Sequence, residues 1–291
     1  MSETLQQLVR QLDLEQLEVN LFRGQSADLG GRSVFGGQVI GQALVAAGRT
    51  VQAREPHSLH AYFLLPGDMT RPIVYQVDAI RDGKSFTTRR VQAIQHGRPI
   101  LSMIASFQVP EPGLEHQASA PTVPPPEQLT PIDELQARWL AEAGEVHPRV
   151  REALSRPWAI EFRPIAPRNP LRPDARPPVQ QFWFRSRERL ADTPMLHRCL
   201  LAYASDFALI GTALLPHGES WYRPTMMVAS LDHAIWFHRE GRIDEWLLYT
   251  MDSPSAQGAR GLARGLIHDR AGRLVASVVQ EGLMRQVEER K

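Results

Sequence analysis

Three polar side chains in the carboxy-terminal half stand in apolar surroundings, and together their types could do one piece of chemistry. Asp206 lies in LLAYASDFALIGTAL, a run whose spacing predicts the middle of an apolar helix. Aspartate is a poor helix former, and burying its charge without partners is costly. The ordinary alternative turns Asp206 to solvent, yet Ala202, Phe207, Leu209 and Ile210 leave this helix little polar face. Gln280 ends the apolar strand LVASVV, where a glutamine could merely satisfy nearby backbone. Ser230 starts the strand-like SLDHAIWFH, and a lone strand serine is usually structural. Taken together, a carboxylate, an amide and a hydroxyl could hold one water molecule. The carboxylate would take a proton from it as a general base, while the other two fix its direction toward an acyl carbon. Such a hydrolysis requires no cofactor and no covalent intermediate.

Other catalytic motifs are missing. GQSAD and GESWY both fail as a G-x-S-x-G nucleophile elbow, and no H-E-x-x-H, P-loop or G-x-G-x-x-G occurs. His57 and His60 are three apart on a strand, which points them to opposite faces and argues against a metal pair. Cys199 and His197 sit two apart on a helix and do not share a face, so a Cys–His nucleophile is not expected.

The elements that would position these residues repeat. MSETLQQLVRQLDLEQLE places Leu5, Leu8, Val9 and Leu12 on one helix face, with Ser2 or Thr4 as cap. LEVNLFRGQ reads as a strand, and FGGQVIGQALVAAGRTV as a buried helix whose Gly36 and Gly37 could present backbone N–H groups to an anion. Strand-like runs follow at His57–Leu64, Ile73–Ile80, Ser85–Gln95 and Pro99–Val109. Prolines crowd 110–131, and two short helical pieces come next. The second half has strands at 159–165 and Gln180–Ser186, a long helix over Pro194–Leu215, and strands at Met226–His238, Trp246–Asp252, Gly258–His268 and Leu274–Arg285. The expected division is a first unit over 1–109, a proline-rich connection with short helices over 110–156, and a second unit over 157–291 that carries Asp206, Ser230 and Gln280.

The halves also look like copies of each other. HSLHAYFLLP from His57 answers SLDHAIWFHR from Ser230, with His60 on His233 (233 − 60 = 173), and GRPILSMIASFQ from Gly97 answers GRLVASVVQEG from Gly272 (272 − 97 = 175). His57 is read as the counterpart of Ser230, and Ser106 as that of Gln280. The fold class is therefore α+β: two tandem hotdog units, each a curved antiparallel sheet wrapped around a long central helix.

Hydrophobic content of 43% and charged content of 22% are those of a soluble globular chain, and a formal charge of +1 gives no reason to expect nucleic acid as partner. No apolar run reaches the roughly 20 residues needed for a membrane span. A single cysteine excludes an internal disulfide, and with no secretory signal the expected location is cytoplasmic.

The chain resembles the acyl-CoA thioesterase II family of double-hotdog hydrolases over nearly its whole length. The similarity is carried by LFRGQSADLGGRSVFGGQVIGQAL, HSLHAYFLLPGD, YASDF, LDHAIWFHR, EWLLY and VASVVQEGLMR. It implies hydrolysis of fatty acyl-CoA to free acid and CoA, with CoA part of the substrate and no separate cofactor. The family's water-orienting aspartate, Thr/Ser and glutamine fall on Asp206, Ser230 and Gln280, with Ser230 standing where the bacterial pattern often has threonine. His57 falls in a block where the family carries a histidine, an accessory position. The resemblance also implies an acyl tunnel and a homo-oligomer, a dimer or tetramer of double hotdogs. The oxyanion would be met by a backbone N–H, and Arg89, Arg90, Arg260 or Arg264 could meet CoA phosphates. Two other readings share the scaffold: a non-catalytic acyl-CoA binding or sensing protein, and a hotdog enoyl-CoA hydratase or dehydratase using His57, His60 or His233.

Overall fold

Apolar residues at every second position gather the strands of both halves into one antiparallel sheet. The structure, a computed structural model, describes residues 2–287. The first half supplies β1 (Glu15–Glu18), β2 (Leu21–Gly24), β3 (Glu55–Phe63), β4 (Ile73–Asp82), β5 (Phe86–Gln95) and β6 (Arg98–Gln108). The second supplies β7 (Ile160–Pro164), β8 (Val179–Ser186), β9 (Met226–Ser230), β10 (Asp232–Phe237), β11 (Leu247–Gln257), β12 (Arg260–Asp269) and β13 (Leu274–Gln286). Their order is β1-β2-β4-β5-β6-β3-β10-β13-β12-β11-β8-β7, with β9 on β13. The seam between the halves is the antiparallel pair β3–β10.

Strand register tests the duplication. His60 pairs with Ile104 and Ala234 with Val279, giving 234 − 60 = 174 and 279 − 104 = 175. Arg89–Ala105 answers Ala263–Gln280 with the same two offsets (263 − 89 = 174; 280 − 105 = 175). Even an irregularity is copied. The β3–β6 register slips around His57, and β9 and β10 are separated at Leu231, its counterpart (231 − 57 = 174). With this offset His60 lies opposite its own counterpart, Ala234, at the seam. The halves are thus related by a local two-fold through that pair.

The offset of 173 read from the His60–His233 identity is one residue short. In a strand such a slip turns every side chain to the wrong face. It sets exposed His60 on buried His233, whereas 174 sets buried Leu59 there. Consequently the counterpart of Ser230 is Pro56, not His57; that of Gln280 is Ala105, not Ser106, as the offset of 175 for its strand requires (280 − 175 = 105).

Two helices lie side by side: α2 (Gly36–Gly48) and α5 (Pro194–Ser205), with α1 (Glu3–Leu12) ahead of them. Ser2 holds the cap position of α1 without a side-chain bond, and Leu5, Leu8 and Leu12 are buried. α2 and α5 run antiparallel, since Gly37 meets Tyr203 and Gly48 meets Met195. The two backbones come close at Gly37, where a Cβ would stand 2.3 Å from the Tyr203 carbonyl oxygen. The long helix expected over Pro194–Leu215 is interrupted: α5 stops at Ser205, and a four-residue helix resumes only at Gly211. Ala208 between them takes a left-handed φ of 62°. Between the halves, α3 (Ile132–Glu142) and α4 (Pro148–Ser155) follow a proline-rich stretch anchored to the second half. There Trp183 donates to the Pro124 carbonyl at 2.9 Å and Gln117 to that of Gly272 at 2.7 Å.

Candidate active site

Asp206 is the residue that caps the end of α5, not one in mid-helix. The chain leaves the helix there because contacts distant in sequence hold the next turn open. Ile210 packs onto Gly282, where a Cβ would come within 2.5 Å of it. Gln180 on β8 donates to the Ala208 carbonyl and the Thr212 hydroxyl, both at 2.7 Å. Tyr249 on β11 donates to the Ser205 carbonyl at 2.8 Å, one of the acceptors a helix end leaves unpaired. Burial raises the Tyr249 pKa well above its ordinary value, so this donor keeps its proton.

Asp206 is only 8% exposed, and among the described residues no lysine or arginine pairs with it. Its charge is met by N–H groups. The Gly37 backbone donates to Oδ2 at 2.8 Å, and the Gln280 side chain donates to Oδ1 at 2.6 Å. A carboxylate at a helix carboxy end is disfavoured by that helix's dipole, but the antiparallel packing puts Asp206 at the amino end of α2, where a negative charge is favoured. The anion foreseen for the Gly36-Gly37 start is thus this chain's own Asp206. Gly36 is obliged to be small, because a Cβ there would lie 2.8 Å from Asp206 Oδ2.

The amide of Gln280 joins the remaining groups. Its Nε2 lies 3.1 Å from Ser230 Oγ and 3.3 Å from His233 Nδ1. Its Oε1 is buried without a hydrogen-bond partner. The strands put both side chains here: Ser230 pairs with Gly282 and Ala234 with Val279, so β9 and β10 flank β13 at Gln280. Asp206, Ser230 and Gln280 therefore meet directly. His57 does not join them. Its Nε2 is 2.8 Å from Ser106 Oγ and its ring stands edge-on to Phe86, while burial lowers its pKa. His60 is exposed and packs against Trp236.

His233, which the sequence offered only for the hydratase reading, also belongs to this centre. It is 1% exposed, its Nε2 is 2.9 Å from Ser205 Oγ, and its Nδ1 is 3.8 Å from Asp206 Oδ1. Burial lowers its pKa against the opposing pull of Asp206. On β10 it faces inward with Ile235 and Phe237, an alternation that the continuous apolar run AIWF does not show in the sequence. The first half has no equivalent set: Pro56, Leu59 and Ala105 occupy the positions of Ser230, His233 and Gln280, and Arg49 ends α2 as Asp206 ends α5. The four arginines considered for phosphate binding are all engaged, Arg89 with Asp82, Arg90 with Asp78, Arg260 with Glu281 and Arg264 with Asp252. Cys199 is buried and its pKa is raised by burial, as an inert thiol's would be. No helix among the described residues is long and apolar enough to cross a membrane, and no group of metal-binding side chains occurs among them.

Comparison with known proteins accords with this architecture. The family described as acyl-CoA thioesterase matches residues 151–283, and the one described as acyl-CoA thioesterase N-terminal domain matches residues 25–108. Acyl-CoA thioesterase 2 of Haemophilus influenzae is 42% identical over 289 residues, spanning 98% of this chain and 99% of its own. The crystal structure of acyl-CoA thioesterase II TesB2 from Mycobacterium marinum superposes with a TM-score of 0.78 at 44% identity, covering 97% of this chain and 99% of that one. A hotdog-fold protein from Alicyclobacillus acidocaldarius, at 17% identity and a TM-score of 0.75 over 97% of this chain and 99% of its own, shares the fold. The copied strand registers are thus those of a double hotdog, and with relatives this similar along its full length the chain belongs to the acyl-CoA thioesterase II family, whose members are thioester hydrolases.

Proposed function

We propose that this thioesterase hydrolyses fatty acyl-CoA by direct attack of a water that Asp206 deprotonates and that Ser230 and Gln280 orient. The observation that carries the reading is a buried carboxylate held by two N–H donors, Gly37 and Gln280, with a serine hydroxyl on the same amide. A purely structural carboxylate in such a place would carry a desolvation cost that the first half avoids, its helix ending in the exposed Arg49. As the water oxygen bonds to the thioester carbon, one proton passes to Asp206. When the tetrahedral intermediate collapses, the C–S bond breaks and that proton leaves with the CoA sulfur, so acid and thiol are formed and Asp206 is again a carboxylate. The unpartnered Oε1 of Gln280 offers an acceptor for the water's second hydrogen.

The test is thiol release from a series of acyl-CoAs, short to long, by the purified protein and by Asp206→Asn. The amide keeps the shape and loses the base, so kcat is expected to fall by about 10²–10⁴-fold while the fold persists. An Asp206→Asn protein with the parent rate would remove Asp206 as the base. Absence of thiol release from every acyl-CoA would return the chain to the binding or sensing reading.

A further inference from the structure

At this centre the water mechanism leaves one buried polar pair unused, His233 with Ser205. We infer that His233, held in one tautomer by Ser205, is a positioning residue that keeps the amide of Gln280 nitrogen-first toward Asp206 throughout turnover. This rests on Asp206 acting as the base.

One placement of the protons satisfies every contact. A serine hydroxyl has one hydrogen, and that of Ser205 is assigned to the Ala202 carbonyl, 2.9 Å away. The contact of 2.9 Å between Ser205 Oγ and His233 Nε2 is then donated by the imidazole. A neutral imidazole protonated on Nε2 carries a lone pair on Nδ1. The group 3.3 Å from that lone pair must be a donor, so the NH2 end of Gln280 faces His233 and Oε1 faces away. Burial keeps the imidazole neutral, since it lowers the pKa.

Asp206 could orient the same amide, but only while it is a carboxylate. Once it has taken the proton of the water it becomes a carboxylic acid with an O–H to donate, and that donor would favour the amide oxygen instead. The Nδ1 lone pair of His233 does not change during the reaction, and it holds the amide through the half of the cycle in which Asp206 no longer does. The first half supplies a control for the alternative that His233 is core filling. At the corresponding position stands Leu59, fully buried, in the half whose helix ends in Arg49 and whose strand carries Ala105. A leucine therefore satisfies this place in the sheet, and the imidazole occurs in the half that also has the carboxylate and the amide.

The experiment is steady-state kinetics with an acyl-CoA, alongside thermal melts. His233→Leu should melt near the parent temperature and keep its KM, while kcat drops about 10- to 100-fold, the loss expected when a reacting group is misplaced. His233→Asn, whose Oδ1 can stand where Nδ1 accepts, should recover most of that loss. His233→Gln, which reaches only toward Ser205, should not. Ser205→Ala should lower kcat on its own and add little in the His233→Leu background, because both act along one line. If His233→Leu keeps the parent kcat, or His233→Asn is no better than His233→Leu, the positioning role is wrong. Should His233→Leu melt early, Ser205→Ala decides, an unchanged kcat overturning the inference. Crippled Asp206→Asn beside unimpaired His233→Leu would sink the positioning role alone, whereas Asp206→Asn at the parent rate would sink the base and this role with it.

Discussion

Gln280 has two amide hydrogens and three acceptors around them, at 2.6 Å to Asp206, 3.1 Å to Ser230 and 3.3 Å to His233. The shortest goes to a charge, and charge-assisted bonds are the strong ones. Gln280→Ala leaves the buried carboxylate one donor short, a loss of about 1.5–3 kcal/mol, or roughly 10- to 150-fold in rate. Ser230→Ala removes a neutral bond of about 0.5–1.5 kcal/mol and should cost about tenfold at most. Ser230→Thr keeps the hydroxyl on a stiffer side chain and should retain the parent rate. Thiol-release kinetics rank the three, and Ser230→Ala falling below Gln280→Ala would contradict the assignment of the carboxylate as the group that needs the amide. Of these partners the sequence made Asp206, Ser230 and Gln280 legible, because each breaks an apolar pattern. His233 was less so, because a histidine in a strand carries no sign of which way it faces until the register is known.

The ends of α2 and α5 depend on each other. The carboxylate at the end of one helix is held by the first turn of the other, and Gly36 leaves the space between them. Gly36→Ala would bring a Cβ to 2.8 Å from both Asp206 Oδ2 and Phe63 Cζ, so the carboxylate or the ring must move. An expected kcat loss of about 10²-fold, with a melting temperature only modestly lowered, follows from displacing a base by a fraction of an ångström. A Gly36→Ala protein of parent kcat would show that the helix start does not fix Asp206. Alternation and turn residues read from the sequence put the strands within a few residues of their places. The break in the long helix was hidden, because LLAYASDFALIGTAL is apolar on both sides of Asp206 and the causes lie in Gln180, Gly282 and Tyr249 on three other strands. The duplication was visible, but matching like with like put His60 on His233. Only pairing, which gives Leu59 for His233, sets inward residues on inward ones.

Among the described residues, four histidines have pKa values lowered from 6.5 with burial as the largest cause: His57, His197, His233 and His238. The unfolded chain therefore binds more protons than the folded one as pH falls below about 6.5, and stability present above that value is lost toward acid. Melting temperature should be flat between about pH 7 and 8 and fall between about 6.5 and 5, with His233→Leu showing a shallower acid slope. A melting temperature that rises on acidification through that window would contradict neutral burial of these rings. Carboxylates such as Asp68, held down to about 2 mainly by its bonds to Thr70, add their own loss only at lower pH.

The local two-fold at His60 and Ala234 relates the start of α2 and the end of α5 to a second junction, where α5 begins and α2 ends. In an ancestor with one unit per chain, self-association would have built both junctions alike, each from a glycine-bearing start in one subunit and an acid in the other, and any substitution would have struck both. Within one chain that coupling is absent. One junction carries Arg49, Pro56, Leu59 and Ala105, while the other takes a donor from one half and an acid from the other. Neither half can now drift freely, for opposite reasons: the first must keep an unobstructed backbone, the second its side chains.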